Sequence, residues 1–175
     1  MHRNKILLVI TAAFWVIATT LFGNPPESKT IMAANEGFKA PDFDLRTLAG
    51  GDVSLSHLRG SVVVINFWTS WCPPCKAEMP VLQRLNGAFQ GKAVSILAIN
   101  VTNQDSLEAV RQFTNQNGLS LDILLDMDGT VAAAYQVQAF PSTYIVDPEG
   151  VIHKIIIGGP VSEASIRSLI SEVMP

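Results

Sequence analysis

The sequence predicts an α/β domain built on a mixed β-sheet, and three observations carry that expectation. Short apolar runs alternate with stretches of helical spacing along the middle of the chain. A hairpin signal precedes the first long apolar run. Near the end, two further strands surround the turn Asp147-Pro148-Glu149-Gly150. Strand, helix, strand, helix, strand, then a strand hairpin and a closing helix require both parallel and antiparallel neighbours in one sheet.

The elements follow in order. Asp42-Phe43-Asp44-Leu45 and Val53-Ser54-Leu55 flank Ala49-Gly50-Gly51-Asp52, which reads as a β-hairpin. Val62 to Trp68 is a continuous apolar run apart from Asn66, as expected of a buried strand. From Pro73 to Phe89 a helix is expected, with Met79, Leu82, Leu85 and Phe89 on one face. Pro73 and Pro74 fall in its first turn, where backbone N–H groups have no helical partner anyway. Pro80 lies in its interior and removes the bond to the carbonyl of Lys76, so a kink is expected there. Ala93 to Val101 is a second apolar strand, and Ser106 to Asn117 a helix stopped by Gly118. Leu121 to Leu125 is a further strand and Asp128 to Tyr135 a short helix. Ser142 to Val146 and Val151 to Ile157 are the last two strands, and Ser162 to Val173 is an amphipathic closing helix. Leu97, Ile99, Leu124, Ile155 and Trp68 read as core, and His57 and His153 as surface.

Ahead of this domain, Arg3 and Lys5 precede an uncharged run from Ile6 to Gly23. Those 18 residues would span about 27 Å as a helix, close to the hydrocarbon core of a bilayer. The run is longer than a cleavable leader needs, and Met32-Ala33-Ala34 makes a poor cleavage site. It reads as an uncleaved signal-anchor, with residues 1–5 in the cytoplasm, 6–23 in the membrane, 24–38 a tether and 39–175 the domain outside. The absence of a cysteine near its end argues against a lipoprotein. The formal charge is −3 and no basic cluster appears, so nucleic acid is excluded as a partner. With 48% apolar residues the chain is neither disordered nor fibrous.

The only two cysteines lie in Trp71-Cys72-Pro73-Pro74-Cys75, between the Val62–Trp68 strand and the helix that follows. At a helix N-terminus the dipole and the free N–H groups favour a thiolate on the first cysteine, and the second can resolve a mixed disulfide. Cys72 is therefore expected to attack and Cys75 to resolve. Pro73 and Pro74 remove two N–H donors and leave those of Cys75 and Lys76, which weakens the thiolate and biases the pair toward the reducing end. A structural metal site needs four ligands, and His2, His57 and His153 lack the spacing to join the cysteines. Neither a metal nor any other cofactor is expected. Glu78, three residues past Cys75, shares its helix face.

Taken together, Asn66 to Cys75, Glu78-Met79-Pro80 and Phe140 to Gly150 resemble the extracytoplasmic thioredoxin-like proteins. The resemblance runs from about Ala40 to the C-terminus. It is greatest to membrane-tethered thiol-disulfide oxidoreductases of cytochrome c maturation and their relatives in envelope and spore-coat assembly. It implies a thioredoxin-like fold, with Thr102 to Leu125 as an inserted helix-strand element. It implies further that Pro141 forms a cis bond beside the cysteines, and that Glu78 handles protons at the site. Asn66 stands where cytoplasmic thioredoxins carry a buried acid. Trp71, Pro73, Pro74, Phe140 and Pro141 would meet the substrate, although Phe140 is larger than expected before the cis-proline. The implied substrates are disulfides of exported proteins such as apocytochrome c, with a membrane thiol reductant recycling the pair. An oxidase or isomerase would run the same chemistry the other way, and a membrane-tethered metal-binding chaperone is a reading from another class. Peroxide chemistry would want Pro-x-x-x-Thr-x-x-Cys, and position 65 is Ile.

Overall fold

The structure, a computed structural model, describes residues 34–174. The expected cytoplasmic residues 1–5 and membrane segment 6–23 lie outside the described residues. Among those described, no helix is long and apolar enough to cross a membrane.

The core is a five-stranded sheet of β3 (Val62–Trp68), β4 (Val94–Asn100), β5 (Asp122–Leu125), β6 (Ser142–Val146) and β7 (Ile152–Ile157), in the order β5-β4-β3-β6-β7. β3 runs parallel to β4 and antiparallel to β6; β5 is parallel to β4 and β7 antiparallel to β6. The sheet is thus mixed and the fold thioredoxin-like. The helices are α1 (Pro73–Phe89), α2 (Leu107–Gln116), α3 (Thr130–Ala134) and α4 (Glu163–Val173). The inserted β4-to-β5 crossover carries α2.

All seven residues of β3 are buried, because this central strand is covered on both faces. Alternate side chains point to opposite sides. Val62, Val64 and Trp68 join α1, α2 and α4 in one core; Val63, Ile65 and Phe67 join α3 and the hairpin in the other. On α1 the stripe Cys75, Glu78, Met79, Leu82, Leu85, Phe89 faces the first core at helical spacing. Pro80 sits within this helix on its exposed side, so the Lys76 carbonyl it leaves without a helical partner is on the solvent face.

The hairpin forms in a slightly different place from the expectation, as β1 (Asp44–Arg46) and β2 (Asp52–Ser54), with Leu45 opposite Val53. Asp42 is taken out of the strand because its carboxylate accepts from the N–H groups of Phe43 and Ser56. Leu55 instead opens a short 3-10 turn, Leu55–Leu58. Helix α3 is also shorter than expected. Asp126 and Asp128 accept the N–H groups of Val131, Ala132 and Thr130, so the acids cap the helix from outside rather than entering it. Ile155 is half-buried on edge strand β7 rather than fully in the core. His57 is exposed, and His153 pairs with Glu172 at 3.1 Å. Residues 34–38 fall in the expected tether, and they pack onto the start of β7. Ala34 is buried, Gly37 N–H donates to the Ile152 carbonyl at 2.8 Å, and the Glu36 carboxylate accepts from Ile155 N–H at 3.0 Å.

Candidate active site

Cys72 lies four residues beyond the end of β3, immediately before α1 begins. Cys72 is the N-cap of that helix, with Pro73 and Pro74 in its first two positions. The two cysteines form a disulfide with Cα atoms 5.3 Å apart, within the ordinary range for such a bond. Both are buried, while Pro73 is exposed and Pro74 half-buried above them. Cys75 N–H donates to Cys72 Sγ at 3.2 Å. The Lys76 N–H, expected to help, instead donates to the Cys72 carbonyl at 3.1 Å as the first regular bond of the helix. The Lys76 ammonium lies over the Phe113 ring, 5.8 Å from its centroid. One backbone donor rather than two therefore serves the sulfur.

The Phe140–Pro141 bond is cis, and Phe140 packs against the core that holds both cysteines. Ser142 Oγ donates back to the Ala139 carbonyl at 2.8 Å and holds this turn, and Gly158 N–H donates to the Pro141 carbonyl at 2.8 Å. A second cis bond, Gly159–Pro160, follows β7 and has no counterpart in the sequence expectations. Trp71 is 55% exposed and meets Phe140 edge to face at 5.9 Å. Its indole N–H is fixed by the Gln104 carbonyl at 2.8 Å. Trp68 is fully buried, in contact with Phe113.

Under this surface lies a buried polar chain. Asn66 Nδ2 donates to Thr143 Oγ1 at 2.9 Å, and Thr143 Oγ1 donates to Glu78 Oε1 at 3.4 Å. Glu78 is 1% exposed, and its Oε2 has no hydrogen-bond partner among the described residues. Burial pushes its carboxyl up to about 7, against the weaker opposite pull of the Thr143 bond. A carboxyl titrating near neutrality can give or take a proton at working pH.

A second network was not foreseen. Asp105 accepts from Ser70 N–H at 2.5 Å, Ser70 Oγ at 2.6 Å, Asn100 Nδ2 at 2.8 Å and Ser106 N–H at 2.8 Å. It ties the loop before Cys72 to the insertion. From sequence, Asp105-Ser106 reads as an ordinary helix start. Thr143 did carry a signal, since Ser142-Thr143 are polar residues opening an otherwise apolar strand beside Pro141.

A cysteine pair at the start of a helix, together with a cis-proline at the start of a strand of a thioredoxin-like sheet, defines a thiol-disulfide oxidoreductase. The model of the AhpC/TSA family matches residues 37–155, and the chain belongs to that family. It is 40% identical over 132 residues to the thioredoxin-like protein YneN of Bacillus subtilis, covering 75% of this chain and 76% of YneN. To the thiol-disulfide oxidoreductase ResA of Geobacillus kaustophilus it is 38% identical over 167 residues, covering 95% of this chain and 92% of ResA. Among solved structures, StoA from Bacillus subtilis superposes with a TM-score of 0.67 at 30% identity, covering 74% of this chain and 96% of StoA. The chain is accordingly a thiol-disulfide oxidoreductase.

Proposed function

We propose that this oxidoreductase works as a reductase on the outer face of the cytoplasmic membrane, held there by residues 6–23. Reduced Cys72 attacks one sulfur of a disulfide in an exported protein, such as apocytochrome c, and the other sulfur leaves as a thiol. Cys75 then attacks Cys72 Sγ and releases the second substrate thiol. The pair has given up two electrons and two protons, and ends as the Cys72–Cys75 disulfide. A membrane thiol reductant restores the dithiol. Glu78 handles the proton that leaves or returns to Cys75. Trp71, Pro73, Pro74, Phe140 and Pro141 form the surface on which an extended substrate segment lies.

The observation that carries the direction is the poverty of donors at Cys72 Sγ. Two prolines and the helix-bonded Lys76 amide leave the Cys75 N–H alone to stabilise a thiolate. A less stabilised thiolate makes the reduced form a better electron donor. The names of ResA and YneN support the class of chemistry. Ile65, buried in β3, stands where peroxide chemistry would want proline.

The test is the reduction potential of the full chain, equilibrated against graded dithiol/disulfide buffers. A value near or below that of thioredoxin, about −270 mV, is expected. A value near that of the strong periplasmic oxidant, about −120 mV, would reverse the direction and make the protein a disulfide donor.

A further inference from the structure

The unpartnered Oε2 of Glu78 has a neighbour of a different kind. The chain leaving β7 turns back through Gly158, whose N–H is bonded to the Pro141 carbonyl, and lays Gly159 against the site. A Cβ on Gly159 would stand 2.8 Å from Pro141 Cγ and 3.0 Å from Glu78 Oε2. Both distances are closer than such contacts normally come, so only glycine fits without a shift. Gly159 is itself solvent-exposed, whereas the carboxylate beneath it is 1% exposed. A single residue of backbone therefore separates the acid from water on that side.

The geometry points to Gly159 as a positioning residue: its missing side chain lets the strand-exit segment close directly onto Glu78 and Pro141, and so keeps water from the carboxylate. This rests on the reading of Glu78 as the proton-handling group. It adds that the burial of the acid is set by a removable cover rather than by the core alone. A partner strand laid beside Pro141 would press on the same segment, so docking and proton exchange would share one moving part. Among the described residues, the groups around the carboxylate come from three elements. Thr143 comes from β6, Pro141 precedes that strand and Gly159 follows β7. On α1 itself Cys75 stands one turn before and Leu82 one turn after. Displacement of the carboxyl from its ordinary value has burial as its leading cause and the Thr143 bond as its counterweight, with no charged side chain contributing. Loosening the cover must therefore lower the midpoint.

The experiment is a carboxyl-carbon NMR titration of the oxidised full chain in detergent micelles, labelled at glutamate, with E78Q used to assign the Glu78 signal. In G159A the Glu78 midpoint is expected at least one pH unit below that of the wild type, a tenfold loss of proton affinity. Glu78 should also react at least tenfold faster with a water-soluble carbodiimide. A folded G159A chain whose Glu78 midpoint stays within 0.3 unit of the wild type, an on-the-order-of-error difference, overturns the proposal. Should G159A fail to fold, the wild type labelled with nitrogen-15 at glycine decides: the Gly159 amide signal must titrate with the Glu78 midpoint, and a flat Gly159 signal overturns it. The wider reading fails separately, if E78Q leaves the pH profile of disulfide exchange unchanged while the Gly159 effects persist.

Discussion

Glu78 shows how one buried side chain contributes to the pH dependence of the domain's stability. Its ordinary value is 4.5 and burial lifts it to about 7 in the folded chain. The folded state therefore binds the proton more tightly than the unfolded state. Below pH 4.5 both states carry it and Glu78 costs nothing. As pH rises from 4.5 to about 7 the unfolded chain releases its proton first, and stability falls; above about 7 the cost is complete. That interval corresponds to about 3 kcal/mol. E78Q should remove this fall, so that denaturant midpoints of wild type and variant converge near pH 4.5 and separate toward pH 8, with the variant the more stable there. Parallel curves across that range would show that the carboxyl is not held as described. At this scale the sequence was informative about chemistry and silent about contacts. Cys72 and Cys75 were legible because they are the only two cysteines, and Pro141 through the motif around it. Thr143 and Asn66 were not tied to Glu78, because the Thr143–Glu78 bond spans 65 residues and the Asn66–Thr143 bond 77. No local pattern encodes such a bond.

Between elements, the decisive joint is the one Asp105 makes between the Cys72 loop and the insertion. Its carboxylate takes both donors of Ser70 and one of Asn100, and the neighbouring Gln104 carbonyl takes the Trp71 indole. Removing it takes the acceptor from these three donors and from Ser106 N–H, four in all, at a half-buried place, and each unmet donor there costs about 1–3 kcal/mol when water cannot replace the partner. D105A should lower stability by roughly 1–3 kcal/mol in total, since this site is open enough for partial rehydration. The more specific sign is local. The Ser70 amide should lose hydrogen-exchange protection and Trp71 emission should shift to the red, while the amides of α4 keep their protection. Protection of Ser70 unchanged in D105A would refute the clamp. The elements themselves were legible wherever burial imposes a period, as in β3, α1 and α4. They slipped where a carboxylate claims a backbone donor. Asp42 shortens the entry to β1, and Asp126 with Asp128 trims α3, because a side-chain acceptor offers those N–H groups an alternative to the regular ladder.

At the scale of the whole domain, the described residues form two cores on one sheet, and among them one core contains both cysteines. Cys72, Cys75 and Met79 pack in the core under α1, whereas Phe67 lies on the other face among Tyr135 and Tyr144, with ring centroids 5.1 and 5.6 Å away. Reduction potential and stability are linked through a cycle: a substitution moves the potential only if it destabilises the oxidised and reduced folds unequally. Phe67 is fully buried and touches neither cysteine's core, so F67A should cost about 3–5 kcal/mol in both redox forms and leave the potential unchanged. Met79 is also fully buried, one turn past Cys75, in the core that must repack when the disulfide opens. M79A should cost about 2–5 kcal/mol, but unequally in the two forms. A difference of about 1.4 kcal/mol between them would appear as a shift of about 30 mV. Urea unfolding of each variant in both redox states, set beside its measured potential, checks both halves of the argument. A potential that moves in F67A as far as in M79A would mean that the sheet transmits packing strain to the thiols, and that the two cores act as one.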